Sequence, residues 1–177
     1  MQFGKTPVMK TKHLLFLFIV LSIAGCHKKT AINPAEPNSY VGTVTPKEFL
    51  SDATFKKLII EIDYVTGYAP SQTSINNIVS FLQNSINKPE GIEVNLSEIP
   101  SPGKQTLTLD DIRTIEKTNR TFISAKEVLT LYVLVTDGAY YMDTNTSKVL
   151  GVAYASSSLV LFEKRSGTFR AELVNLL

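Results

Sequence analysis

Glu127-Val128-Leu129-Thr130-Leu131-Tyr132-Val133-Leu134-Val135-Thr136 is a near-continuous apolar run, rich in β-branched residues and closed by Asp137-Gly138. A strand with one wet face would alternate apolar and polar residues, so a run of this kind predicts a central strand covered on both faces. Central strands of that type belong to α/β domains, in which helices lie against the sheet.

The remaining segments supply matching pieces. Lys57-Leu58-Ile59-Ile60-Glu61-Ile62-Asp63-Tyr64-Val65, ended by Gly67 and Pro70, reads as a second buried strand. Ser71 or Thr73 can cap a helix whose Ile75, Ile78, Val79, Leu82 and Ile86 form one apolar stripe, stopped by Asn87-Lys88-Pro89. Gly91-Ile92-Glu93-Val94-Asn95-Leu96 alternates as a strand, which completes a βαβ unit and predicts parallel pairing. Pro100 to Gly103 is a loop, and Thr108-Leu109-Asp110-Asp111 opens a short helix through Ile112, Ile115 and Glu116 to about Asn119. After a polar loop at 139–148, Val149 to Ala155 and Leu159 to Glu163 read as two short strands separated by Ser156-Ser157-Ser158. The order β-α-β-α-β-β-β predicts an α/β fold with a mixed, mostly parallel twisted sheet and backing helices.

Charge and composition remove whole classes of function. Lys5, Lys10 and Lys12 supply three of the 18 basic residues, so beyond them the 16 acids outnumber the bases by one. Without a basic run there is no electrostatic footprint for nucleic acid. His13 and His27 are the two histidines and Cys26 is the one cysteine, so the body from about residue 48 onward has neither. A zinc site of the usual His/Cys type, a Ser-His-Asp triad and a Cys-His dyad all need groups that this body lacks.

Residues 1–25 read as an export signal, with Lys5, Lys10 and Lys12 before the apolar Leu14-Leu15-Phe16-Leu17-Phe18-Ile19-Val20-Leu21. That run is too short for a comfortable transmembrane span, which takes about 20 apolar residues. Ser22-Ile23-Ala24-Gly25-Cys26 resembles the lipobox of bacterial lipoproteins. This implies cleavage before Cys26, lipids on that residue and anchoring to a bilayer of the bacterial cell envelope, with the outer membrane as the expected site. Residues 26–47, with Pro34, Pro37 and Pro46, read as a tether, and 48–177 as the domain.

Three groups of polar residues are weighed as sites. Asp137, Asp143 and Asn145 offer oxygen ligands for a cation, but their spacing matches no EF-hand, and a solvated loop is the simpler account. Glu61 and Asp63 share one face of a strand and could form an acid/base pair, although a strand-end or rim position explains them with less. Tyr132, Tyr140, Tyr141 and Tyr154 read as core and loop packing.

Residues 57–177 also resemble a family. Leu58 to Tyr64, Pro70-Ser71-Gln72-Thr73-Ser74, Ser101-Pro102-Gly103-Lys104, Leu109-Asp110-Asp111-Ile112-Arg113, Lys148 to Tyr154 and Leu159 to Lys164 are similar to the lipoprotein "membrane metalloproteases" of Bacteroidetes, a metzincin-like group of zinc peptidases. The resemblance implies the fold of a metzincin N-terminal subdomain. It also implies an antiparallel edge strand, placed at Ser158-Leu159-Val160-Leu161-Phe162, that holds an extended peptide by β-augmentation. The family's HExxHxxGxxH helix does not occur here, and Glu172 in Ala171-Glu172-Leu173-Val174-Asn175-Leu176-Leu177 has no flanking histidine. The resemblance therefore assigns no catalytic or metal residue to this chain, which is expected to be the N-terminal half of such an enzyme and inactive by itself. Zinc is expected in a full-length homologue. The alternative is a non-catalytic envelope lipoprotein that binds a peptide or protein along its edge strand; both readings have the bilayer and a polypeptide as partners.

Overall fold

Five strands build the main sheet of the computed structural model, which describes Met1 and residues 44–163. They are β1 (Lys57–Val65), β2 (Ile92–Ile99), β4 (Val128–Thr136), β6 (Gly151–Ala155) and β7 (Ser158–Phe162), in the spatial order β2-β1-β4-β7-β6. The pairs β1–β2, β1–β4 and β4–β7 are parallel, and β6 runs antiparallel to β7. This is an α/β fold with a mixed, mostly parallel sheet. A separate two-stranded ladder joins β3 (Thr106–Leu107) to β5 (Ala139–Tyr140).

The apolar run that predicts a central strand forms β4, in which every residue from Leu129 to Thr136 is buried. Alternation then divides the sheet into two faces. Leu58, Ile60 and Ile62 of β1 and Leu129, Leu131 and Val133 of β4 meet Ile78 and Leu82 of α2 (Gln72–Ser85). On the opposite face, Val65, Tyr132, Leu134, Val160 and Phe162 pack with Ile112 of α3 (Leu109–Asn119). The buried side chains that β1, β4 and β7 turn to the first face are apolar, whereas the second face also holds the buried polar residues Glu61, Asp63, Glu116, Thr130 and Ser158.

Both long helices start where capping chemistry allows. Ser71 accepts the Ser74 amide at 3.1 Å, and Thr108 forms a reciprocal capping box with Asp111. Lys104 pairs with that same Asp111 at 2.5 Å and, with the Thr108 amide, holds its carboxyl down at about 2. After β1, Gly67 takes φ +87°, which a residue with a Cβ rarely adopts.

Several boundaries differ from the sequence reading; the strands read as 149–155 and 159–163 run over 151–155 and 158–162. The tether does not extend to residue 47, because Val44 is buried and α1 (Pro46–Leu50) is a helical turn with Pro46 at its start. That turn is tied to the domain by Lys88, which is buried and donates to the carbonyls of Glu48 at 2.8 Å, Ser51, and Phe55 at 2.9 Å. Burial lowers the Lys88 pKa. The strand read as 91–96 continues to Ile99, and the loop at 139–148 begins with the buried pair Ala139 and Tyr140.

Candidate functional site

The strand expected at the edge lies inside the sheet. Ser158, Leu159, Val160, Leu161 and Phe162 are not the edge: β7 lies between β4 and β6 and pairs with both. The antiparallel edge is β6. Hydropathy gives the reason, since Ser-Leu-Val-Leu-Phe fills a place buried on both faces, whereas Gly-Val-Ala-Tyr-Ala is only partly covered. The chain reverses through Ser156-Ser157, so the later strand goes inside and the earlier one outside.

The Phe162 amide donates to the Leu150 carbonyl at 2.9 Å. Antiparallel ladders alternate residue by residue, so Leu150 and Val152 face β7, whereas the N–H and C=O of Gly151 and Ala153 point away from it. The register shifts between Ala153 and Ala155, which makes Tyr154 the extra residue of a β-bulge. No other strand among the described residues pairs with the outer side of β6, and Ala153 is exposed. Beside this edge lies a cavity of about 340 Å³, walled by Leu58, Leu131 and Leu159 of the sheet, Phe81 and Leu82 of α2, and Ala153 of β6.

Beneath the same edge, on the α3 face, runs a buried polar network. The Glu116 carboxylate accepts Tyr154 Oη of β6 at 2.7 Å and Ser158 Oγ of β7 at 2.7 Å. Arg120 pairs with it at 2.6 Å; the two side chains are only 5% and 7% exposed. Arg120 also donates to the Phe122 carbonyl at 2.8 Å and lies 5.6 Å from the centre of the Tyr132 ring, within cation–π range. Tyr132 in turn donates its hydroxyl to Asp63 at 2.8 Å. Glu61 accepts the backbone amides of Thr121 at 2.5 Å and Phe122 at 2.9 Å, and so clamps the loop that leaves α3.

Glu61 and Asp63 are thus not at a strand end or rim. Both sit in the middle of β1 and are 1% and 0% exposed. Loss of water raises both carboxyl pKa values, against the hydrogen bonds from Phe122 and Thr121 in one case and from Tyr132 in the other. Burial also raises the phenols of Tyr132 and Tyr154, with Asp63 and Glu116 respectively adding to the effect. The chemistry of this network is cohesion: it fastens α3 and the loop after it to β1, β4, β7 and β6. Sequence reasoning assigned no role to Glu116 or Arg120. The signal was present, since a glutamate continues the stripe of Ile112 and Ile115, with an arginine one turn later at i+4.

The other candidates have structural duties. Asp137 accepts Ser101 Oγ at 2.7 Å, Asp143 accepts the Val149 amide at 2.8 Å, and Asn145 is exposed. Tyr140 packs on Phe162 at 5.6 Å, whereas Tyr141 is half exposed. Among the described residues no three His, Cys, Asp or Glu side chains are grouped to hold a metal ion, and the carboxylates of the network already accept hydrogen bonds. These donors do not fit zinc, and no zinc-dependent step is assigned to them. No described helix is long and apolar enough to cross a membrane; Leu14 to Leu21 and Cys26 lie outside the described residues. No protein-family model matches the chain, and neither a curated protein nor a solved structure matches it.

Proposed function

We propose that this domain recognises an extended polypeptide by adding it as a further strand to β6, and that it does so as a lipid-anchored protein of the bacterial cell envelope. The observation that carries the reading is the outer side of β6. Gly151 and Ala153 turn their backbone donors and acceptors outward from a strand with no charge and no proline, the devices by which edge strands are usually kept from pairing. Main-chain hydrogen bonds along such an edge supply affinity for an extended peptide, and pockets at alternate positions supply selectivity. Lipidation at Cys26 would hold this surface close to a bilayer.

The reading is compatible with the metallopeptidase resemblance, in which a single antiparallel strand at the rim of a mostly parallel sheet holds the substrate. In that case strand addition is the binding step of a zinc peptidase, and zinc with its ligands belongs to a full-length homologue. In the non-catalytic case strand addition is the whole function.

The test is a selection from a random pool of ten-residue peptides on the full chain, followed by affinity measurement with the Ala153→Pro variant. Proline removes the outward N–H of Ala153 without taking a donor from the β6–β7 ladder, so the variant should fold with an unchanged unfolding midpoint. Enriched peptides that bind the variant about tenfold more weakly, a loss of about one hydrogen bond, support strand addition at β6. No enrichment, or peptides that bind both proteins equally, would rule it out.

A further inference from the structure

The bulge in β6 and the buried carboxylate beneath it are connected. Tyr154 is the one residue of the strand without a partner across the ladder, and its hydroxyl reaches 2.7 Å to Glu116. A bulge re-aims a side chain and ends regular pairing. Here the alternation shared with Val152 already aims Tyr154 at the α3 face, and the bulge ends the pairing directly after Ala153, the last residue before the shift whose backbone points outward. Glu116 is well suited to hold it, because Arg120 at 2.6 Å supplies the opposite charge and Ser158 at 2.7 Å ties the same carboxylate to β7. One glutamate thus joins α3 to both strands of the antiparallel pair.

We infer that Glu116 is a positioning residue for the open edge: through Tyr154 it pins the bulge and so fixes where the straight, pairing-competent part of β6 ends. The inference rests on the strand-addition reading for what the edge does, but not for how the edge is held. A peptide laid along β6 meets regular backbone at Gly151 to Ala153 and loses register beyond it. With the hydroxyl of Tyr154 removed, the bulge is free to slide or straighten, and the ladder that carries the edge opens more often.

Amide hydrogen exchange on the full chain reads this directly, since local opening shows at the amides it frees. The Val152, Val160 and Phe162 amides report on the β6–β7 ladder, and Leu58, which donates to Gly91 at 3.1 Å, reports on the far side of the sheet. In Tyr154→Phe the first group should exchange about tenfold faster, the weight of one hydrogen bond to a charged acceptor, with Leu58 unchanged. Ser158→Ala removes a hydrogen bond to the same carboxylate from an interior strand; it should lower the unfolding midpoint without a selective change in the ladder. Adding Tyr154→Phe to Glu116→Gln should speed exchange no further than the larger single change, because the two act through one contact. A peptide selected on the wild type should bind Tyr154→Phe about tenfold more weakly by the same hydrogen bond. Uniform acceleration across the sheet in Tyr154→Phe, or none in the ladder, would overturn the assignment. Should the wild type bind no peptide, the strand-addition reading falls, and the exchange contrast alone decides the role of Glu116.

Discussion

At one side of the sheet β2 carries Glu93 and Glu98, with Glu93 held by Lys57 at 2.6 Å and by Asn95 at 3.1 Å, and Glu98 held by Thr66 at 2.7 Å. At the other side β6 has no charged residue, and its fixing point is the Tyr154 hydroxyl on a buried glutamate. Both strands expose backbone groups on their outer side. The β2 edge meets water with carboxylates, which oppose the approach of another strand, whereas the β6 edge is bare above and braced below. Charge on the surface opposes the approach of another strand; charge in the interior holds an open edge in shape.

The comparison breaks most visibly at Arg120. Arg120→Met leaves Glu116 buried without its cation, and loss of one partner of a buried pair costs about 3–5 kcal/mol. A fall of that size in the denaturant midpoint is expected, with the β6–β7 ladder opening first. A smaller effect separates the two edges. Leu58 donates to Gly91 and Thr66 to the Ile99 carbonyl, so the backbone of Leu96, like that of Ala153, points away from its neighbouring strand. Leu96→Pro should therefore leave peptide affinity unchanged, whereas Ala153→Pro lowers it about tenfold through the outward donor it removes.

Titration sharpens the contrast between interior and surface charge. Burial raises the Glu61 and Asp63 carboxyls, so the folded chain holds these protons more tightly than the unfolded chain does. Their contribution is fully present below the unfolded values, about 3.9 for Asp and 4.3 for Glu, and is lost as pH rises through the folded ones. The unfolding midpoint of the wild type should decline over that interval, and Asp63→Asn should flatten the decline. Asp111, held at about 2, acts in the opposite sense: its contribution is present above about 3.9 and disappears as pH falls toward 2. The smallest effect belongs to the β2 edge. Lys57→Met removes a partly exposed ion pair and should change stability by about 0–1 kcal/mol.

Periodicity carried the fold as far as periodicity reaches. β1 has both ends where its apolar run begins and stops, α2 follows its stripe from the Ser71 cap, and β4 is buried as its composition demands. The last residues of β2 escaped because Ser97 and Glu98 are exposed on a strand that borders water, where no apolar alternation is required. α1, β3 and β5 are too short, at five, two and two residues, to leave a period. The site was harder to see for a different reason. The residues that hold Glu61 and Asp63, namely Thr121, Phe122 and Tyr132, come from 60 or more positions away, so no local pattern marks the two acids as buried. The order of β6 and β7 is likewise a property of pairing, although the lower hydropathy of Gly151 to Ala155 marks it as the outer strand.

One measurement bears most directly on the difference between the edges: amide exchange of Gly151 and Ala153 on β6, and of Val94 and Leu96 on β2, with and without a peptide selected from the random pool. Strand addition at β6 predicts slowed exchange at Gly151 and Ala153 on peptide binding, with Val94 and Leu96 unaffected. Protection at Val94 and Leu96, or at neither edge while the peptide is bound, would contradict it.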